Sequence, residues 1–586
     1  MAGPLNVVTV SAPGFYGLNT QESGITMPSQ FALDATNCII DKFGRIGSRK
    51  GWIKYSNPAE ASITAITQAN PCSITASGHN LETGEQVIIT DVEGMTELNG
   101  NTYTVTVVDS STFTLDGTDS TGFTAYTQRG TVTEVSLLTG AVGAISEFTN
   151  TDGSLTVLLT ADNKLWKLDS NYDPVELTAD DASAITITSD NWQIATFNNH
   201  AVFVQDGHVP VYYDAAADTY KEYSGVNFTN PTCVSACFNR VWVGEDSTVY
   251  WSKILEPQSF TGVGSGYINM REIFGEDDNV TAITSYNGRL VIFGKRNIAF
   301  FSGAEDPTGF NFQLSDHIKG IGCIARDSVQ NVGTDVVFLS SEGVRTVGRT
   351  IQEVSSPIGD VSRNIRDDLV QFANGENEYR IKAVYSPLDA IYLLTLPTTG
   401  FTYCFDMRAP LQDGSRRVTV WNNITPSAYC VLRNNDLLLG QTGYVGKYSG
   451  YSDNGTTYRL SYYTSYIDFG NAASETMLKK IRLSTLGAAG QDAAMKWAFD
   501  YDIDYETSSF KLKEGGTYEY GVDEYFSDDN IDNEAEYSSG LVLDTISFNA
   551  SGRGAVLQLG IESNISGGSL SIQKIDIFAK NGKLIS

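Results

Sequence analysis

The chain has 586 residues, too many for one hydrophobic core, so about two to four domains are expected. Thirty-nine basic residues against 69 acidic give a formal net charge of −30, which argues against groove binding to nucleic acid, because that affinity needs a basic face that releases counterions. Only 18% of residues are charged, and 55 Gly, 30 Tyr and 27 Phe beside 15 Pro suit many short strands with tight turns and a polar, uncharged surface fit for stacking on neighbouring subunits.

The chain opens Met1-Ala2-Gly3-Pro4-Leu5, with no basic stretch followed by an apolar one, so no signal peptide is expected. No apolar run approaches the roughly 18 residues of a membrane span. Residues 1–57 carry Asn37-Cys38-Ile39-Ile40-Asp41-Lys42-Phe43-Gly44-Arg45-Ile46-Gly47-Ser48-Arg49-Lys50-Gly51-Trp52, which reads as a strand, a turn over Asp41 to Gly44 and a second strand. One hairpin cannot bury its own face, so these strands are expected to brace or close something built by later residues. Arg45, Arg49 and Lys50 form the main compact basic cluster. Two roles stay open for it: contact with acids of a neighbouring subunit, or an exposed solubilising patch.

Residues 58–135 form a different unit, rich in Thr, Val, Ile and Gly. The alternating strands Gln86 to Ile89, Thr102 to Val107 and Thr112 to Leu115, separated by polar turns, predict a small inserted β-barrel.

From residue 136 to 455 one phrase recurs seven times: a polar turn, a run of β-formers, another turn. The phrases start at Gly153, Asn199, Asn239, Asn287, Asp335, Asp389 and Asn435, in steps of 46, 40, 48, 48, 54 and 46 residues. A period of this size in an all-β pattern predicts a β-propeller, with one phrase free to belong to a flanking sheet. The N-terminal strands would close the ring by pairing with its last blade. Trp166, Trp192, Trp242 and Trp251 fall in or beside its strands and read as blade packing.

Residues 456–586 alternate again, as in Leu460 to Ile467, Lys480 to Leu483 and Ala555 to Ile561, and predict a C-terminal β-sandwich or jelly-roll-like domain. The fold class is all-β throughout. Here lies the strongest charge feature. Asp500, Asp502, Asp504 and Glu506 alternate with aromatic and aliphatic residues, and Glu514, Glu519, Asp523, Glu524, Asp528, Asp529, Asp532, Glu534 and Glu536 follow; only Lys511 and Lys513 oppose them. As a strand, this stretch would carry Asp500, Asp502, Asp504 and Glu506 on one face and Phe499, Tyr501, Ile503 and Tyr505 on the other. Three readings stay open: a solvated face with an acidic loop, a calcium loop at Asp528 to Glu534 that lacks the twelfth-position Glu because Ser539 stands there, or the wall of a channel that repels DNA.

Conventional chemistry is thin. The seven cysteines, Cys38, Cys72, Cys233, Cys237, Cys323, Cys404 and Cys430, lack metal-like spacing and read as reduced, mostly buried thiols. Cys233 and Cys237 would lie about 13 Å apart on an extended strand, too far for a disulfide. His79, His200, His208 and His317 form no zinc pair, and Gly262-Val263-Gly264-Ser265-Gly266 is neither a nucleophile elbow nor a phosphate loop. Asp389, Asp406 and Glu342 are nominal candidates for a propeller glycosidase, with nothing to single them out from other turn acids. No catalytic, cofactor-binding or metal-ligating residue is expected.

Three segments together resemble a known family. The phrase Asn37…Asp41…Gly44-Arg45-Ile46…Arg49-Lys50-Gly51 resembles the opening of tail nozzle proteins (tail tubular protein B type) of short-tailed bacteriophages, and Ser551-Gly552-Arg553-Gly554-Ala555-Val556-Leu557-Gln558-Leu559 resembles their closing strands. Pro71 to His79, Gly94 to Val105 and Phe113 to Gly117 resemble a module of phage structural proteins related to the first catalytic cysteine half-domain of ubiquitin-activating enzymes. Cys72 nonetheless reads as a packed thiol rather than a nucleophile. The resemblance implies a non-enzymatic virion protein, made in the host cytoplasm and built into the phage tail as a hexameric tube. Its implied partners are a head–tail adaptor, tail fibres or tailspikes, and duplex DNA that passes without specific binding. The competing readings are a virion polysaccharide hydrolase on a propeller scaffold and a glycan receptor-binding module.

Overall fold

The computed structural model describes residues 6–56, 60–135, 137–170, 172–180, 185–187, 191–308, 311–353, 361–469, 474–487, 490–512 and 543–584. All seven repeated phrases land on the second strand of a sheet: Leu155–Ala161, His200–Val204, Arg240–Glu245, Arg289–Gly294, Val336–Ser340, Ile391–Leu396 and Leu437–Gly440. The polar start of the phrase is a hairpin turn. Asn198-Asn199, Phe238-Asn239 and Asn287-Gly288 each hold two consecutive positive φ angles, the conformation of a two-residue turn that matches strand twist. The β-formers after it are buried on both faces, as in Ala201 to Val204 and Leu290 to Phe293. Each Val, Leu, Ile or Phe among them contributes about 1.5–3 kcal/mol by leaving water, which is why the phrase is continuously apolar rather than alternating.

Six blades share a four-stranded plan; blade 2 adds the short strand Thr178–Ala179 at its outer edge, and blade 5 is part of a larger sheet. Blade 1 is Ala144–Thr149, Leu155–Ala161, Lys164–Leu168 and Pro174–Glu176. Blades 2, 3 and 4 start at Gln193–Phe197, Cys233–Cys237 and Val280–Tyr286. Blade 5 starts at Lys382–Ser386 and blade 6 at Ala428–Val431. The innermost strands of blades 1 to 4 stand side by side, as do those of blades 5, 6 and 1, and the turn Arg326–Ser328 bridges blades 4 and 5, so the ring closes. The fifth phrase belongs to a three-stranded sheet, Gln330–Asn331, Val336–Ser340 and Gly343–Thr346, set between blades 4 and 5. Helix Arg366–Asn374 packs on its outer strand through Leu369 and Ala373.

The tryptophans fill the spaces between blades. Trp166 lies in the cluster shared by blades 6 and 1, Trp192 in that of blades 1 and 2, and Trp242 with Trp251 in that of blades 3 and 4.

The N-terminal strands divide their work. Trp52–Lys54 is the outermost strand of blade 6, with Trp52 opposite Tyr448, so residues from both ends of the ring share that blade. The hairpin before it, Cys38–Ile40 and Ile46–Ser48, does not join the propeller. It pairs with the C-terminal strand Leu570–Leu584, which also takes Asn6–Ser11 on its flank.

Two sheets form the C-terminal part. One contains Leu570–Leu584, Ser474–Gly487 and Leu543–Phe548. The other continues blade 5: Val418–Trp421 is followed by Gly17–Leu18, Phe31–Thr36, Tyr458–Thr464, Leu557–Ile565, Asp492–Phe499 and Glu506–Lys511, ten strands in all with the rest of the blade. Ile481 and Ile575 of the first sheet share one core with Tyr462 and Met495 of the second and with Tyr392 of blade 5.

The unit from residue 60 to 135 is a sheet closed on itself. One extended segment first pairs Ala61 with Val132, then donates from Thr64 N–H to the Thr75 carbonyl, then pairs Ile66 with Ile74. It thereby serves both edges of the sheet, and Val87, Ile89, Val105 and Phe113 fill the interior.

Candidate functional site

The basic cluster of the N-terminal hairpin sits where propeller and sandwich meet. Asn37 follows strand Phe31–Thr36 with a φ of 53°, a left-handed conformation that Asn tolerates, and turns the chain into the hairpin. Its side-chain amide is buried and makes the four hydrogen bonds it is capable of. Nδ2 donates to Asn422 Oδ1 (2.7 Å) beyond blade 5 and to the Arg459 carbonyl (2.8 Å) of the sandwich, while Oδ1 accepts from Arg49 Nε (3.1 Å) and Asn422 N–H (3.2 Å).

Arg49 has a wholly buried side chain. It donates to Asp453 through two parallel hydrogen bonds of 2.8 and 2.7 Å, donates again to the Lys50 carbonyl, and lies 3.9 Å from the centre of the Tyr458 ring. Tyr458 in turn donates its hydroxyl to the Arg49 carbonyl. Lys50 reaches Asp389 of the blade 5 hairpin at 3.0 Å. Arg45 reaches back to Asp41 at 2.6 Å, across a turn in which Gly44 has a φ of 73° and a β-carbon would meet Pro13 Cα at 2.6 Å. At Gly51 a β-carbon would sit 1.9 Å from the Ser452 carbonyl oxygen.

For Arg49 this corrects the expectation that the cluster Arg45, Arg49 and Lys50 faces a neighbouring subunit or solvent; Arg45 and Lys50 stay partly exposed. Each is paired with a carboxylate of its own chain. Arg49 has no surface to offer, because a buried guanidinium is tolerated only when its donors are met from within. The motif Asn37…Asp41…Gly44-Arg45…Arg49-Lys50-Gly51 is therefore a junction that ties hairpin, propeller and sandwich together.

The acidic stretch also differs from expectation. Strand Asp492–Phe499 ends before Asp500, and Asp500 and Tyr501 have φ of 51° and 68°; a new strand begins only at Glu506. Asp500, Asp502 and Asp504 thus lie in the hairpin connection and cannot share one strand face with Glu506. Asp500 accepts from the Ala555 N–H at 2.7 Å and the Val556 N–H, and Asp502 accepts from Asp504 N–H at 3.0 Å. The four acids are exposed, as is Ile503 at 85%. Tyr501 and Tyr505 instead pack edge-on against Tyr466 and Tyr463. Asp523, Glu524, Asp528, Asp529 and Asp532 fall outside the described residues, and so does the calcium-loop reading.

The nominal catalytic acids are each held by a cation: Asp389 by Lys50, Asp406 by Arg408 at 2.7 Å, and Glu342 by Arg345 at 3.0 Å. His79 is buried, with its ring nitrogens taken by the Asp109 carbonyl and the Leu81 N–H. Burial pushes the thiols of Cys233, Cys237, Cys323 and Cys430 up to about 12 and raises that of Cys72.

Two clusters had no sequence signal. Arg326 and Asp327 form a turn that spans the ring. Arg326 donates to the Trp192 carbonyl (2.9 Å) and the Thr232 carbonyl (2.6 Å), and Asp327 accepts from Lys382 of blade 5 at 2.5 Å. Burial works against the Asp327 charge, but the two cations hold its carboxyl at about 2. At the border of barrel and blade 1, carboxylate oxygens of Glu85, Glu134 and Asp173 lie within 4.8 Å of one another. Burial, followed by the charges of Asp169, Glu85 and Glu82, pushes Asp173 up to about 6.

Two family models match parts of the chain. Residues 72–136, the barrel, match the family model described as "Ubiquitin-activating enzyme E1 FCCH domain". No curated protein matches the chain. Among solved structures, BamB from Moraxella catarrhalis is 11% identical, with 52% of this chain and 82% of that one covered and a TM-score of 0.33. The extracellular domain of a hybrid two-component system from B. thetaiotaomicron is 13% identical, with 55% and 41% covered and a TM-score of 0.33. Residues 163–432, which hold five of the seven phrases, match the family model described as "Bacteriophage P22 Gp10, beta-propeller", so that over its propeller this chain is similar to a phage structural protein.

Proposed function

We propose that this chain is a structural protein of a phage virion and, more specifically, the tail nozzle of a short-tailed phage. The match of its propeller to the phage Gp10 propeller family carries this reading. The nozzle motif at the N-terminus supports it, because that motif does a mechanical job here: Asn37, Arg49 and Lys50 lock the hairpin to the propeller and the sandwich. A wall that must bear internal pressure needs its domains joined rigidly, and a sheet of ten strands running from blade 5 into the sandwich joins them.

In this reading six copies close by heterologous contacts into a tube below a head–tail adaptor and carry fibres or tailspikes on the side. The work is mechanical and electrostatic rather than catalytic. A lumen bearing acids would admit duplex DNA without binding it, in line with the net charge of −30. The test is to mix the purified protein with its candidate adaptor and, separately, with capsule or lipopolysaccharide. Stable assembly on the adaptor without cleavage of the polysaccharide is expected; cleavage, or failure to join the adaptor, would overturn the reading.

A further inference from the structure

Beside the junction, blades 5 and 6 and the N-terminal segment line a half-open cavity of about 230 Å³. Its charged lining is balanced one for one: Lys50 with Asp389 at 3.0 Å and Lys447 with Asp436 at 2.6 Å. Asn435 and Tyr451 add polar and aromatic wall, and Leu388, 68% exposed, stands at the rim.

These pairs leave hydrogen-bonding capacity of both kinds. Both side-chain donors to Asp436, from Lys447 and Asn434, arrive at Oδ2, so Oδ1 retains its lone pairs. Each ammonium has three donors and gives one edge to its carboxylate, so further acceptors can be met. The cavity therefore presents fixed acceptors and fixed donors side by side with no net charge. An anion would meet Asp389 and Asp436, and a cation would meet Lys50 and Lys447. A neutral molecule whose groups both donate and accept satisfies all four. The volume lies below the roughly 300–1,000 Å³ of pockets for larger ligands, which limits the occupant to a single ring.

We propose that this cavity binds one neutral sugar residue, a hexopyranose seated between the Lys50–Asp389 and Lys447–Asp436 pairs. Tyr451 supplies the aromatic wall. The occupant would lie against the same Lys50 that ties the N-terminal hairpin to blade 5.

The full chain is tested by saturation-transfer NMR and calorimetry with glucose, galactose, mannose and N-acetylglucosamine, and with inorganic phosphate and spermidine as charged probes. At least one neutral sugar should bind with millimolar affinity, and no charged probe should compete. Asp436→Asn should weaken binding at least fivefold, and Leu388→Trp, which fills the rim from an exposed position, should abolish it with the unfolding midpoint unchanged. Absence of binding by every neutral sugar overturns the proposal, as does binding that survives both variants or preference for a charged probe.

Discussion

Arg49 and Asp453 meet fork to fork, Nη1 to Oδ1 at 2.8 Å and Nη2 to Oδ2 at 2.7 Å, across 404 positions of sequence. Against a well-packed apolar pair such an interaction adds little net stability, but loss of one partner strands a charge in the interior at a cost of about 3–5 kcal/mol. Asp453→Ala should lower unfolding stability by about that amount in urea titration. Arg49→Lys keeps the charge and loses the second hydrogen bond and the flat contact with Tyr458, so its cost should be smaller. An unchanged midpoint in Asp453→Ala would show that the junction does not rest on this pair.

Gly51 carries the chain from that pair into the last blade. Its missing side chain lets the backbone pass Ser452, and Trp52–Lys54 then pairs with Val445–Tyr448. Gly51→Ala should detach the strand and leave the rest of the blade in place. Hydrogen exchange at residues 445–448 should quicken at least about tenfold, while amides in Ile391–Leu396 keep their protection. Equal protection in both proteins would mean that the ring closes without the N-terminal strand.

Asp173 makes stability depend on pH. Its carboxyl lies at about 6 in the folded chain against an ordinary value of 3.8, so between these values the native state binds more protons than the unfolded one. The contribution of Asp173 to stability should fall as pH rises from about 4 to 6 and stay lower above. A shift of about two pK steps would amount to roughly 3 kcal/mol, reduced to about 1 kcal/mol because the group is partly in contact with water. Asp173→Asn should therefore stabilise the chain by about 1 kcal/mol at pH 7.5 and hardly at pH 4, in chemical unfolding at the two values. A gain of equal size at both would assign the effect to something other than charge.

The propeller was legible because its phrase has a direct physical cause. A two-residue turn favours Asn or Gly at positive φ, as at Asn198-Asn199 and Asn287-Gly288, and the second strand of every repeat needs apolar residues on both faces. What that rule does not contain is the fate of the fifth phrase, whose sheet stops at three strands with helix Arg366–Asn374 against it, since nine residues with Leu369 and Ala373 inside carry too short a period to read. The strand over Asp500 to Glu506 failed for a related reason. Alternation alone does not distinguish a strand from a hairpin connection, and here two left-handed residues, neither of them Gly, turn the chain. The roles of Arg49 and Arg326 were invisible because their partners, Asp453 for the one and the Trp192 and Thr232 carbonyls for the other, are distant in sequence and nothing local marks them.

The exposed acids of the Asp500 to Glu506 hairpin allow a direct trial of the repulsive lumen. Asp500 caps the Ala555 and Val556 amides and is best left alone. Asp502→Asn, Asp504→Asn and Glu506→Gln together should leave the unfolding midpoint within about 0.5 kcal/mol, as for surface changes in general. Virions that carry the triple variant should eject DNA more slowly in a dye-release assay. Unchanged kinetics would remove these residues from the path of the DNA.

The nozzle account is tested most directly by the mass and shape of the purified chain with its adaptor, from light scattering and negative-stain imaging. Sixfold rings or tubes with a central channel are expected. A monomer or trimer that persists in the presence of adaptor would contradict it.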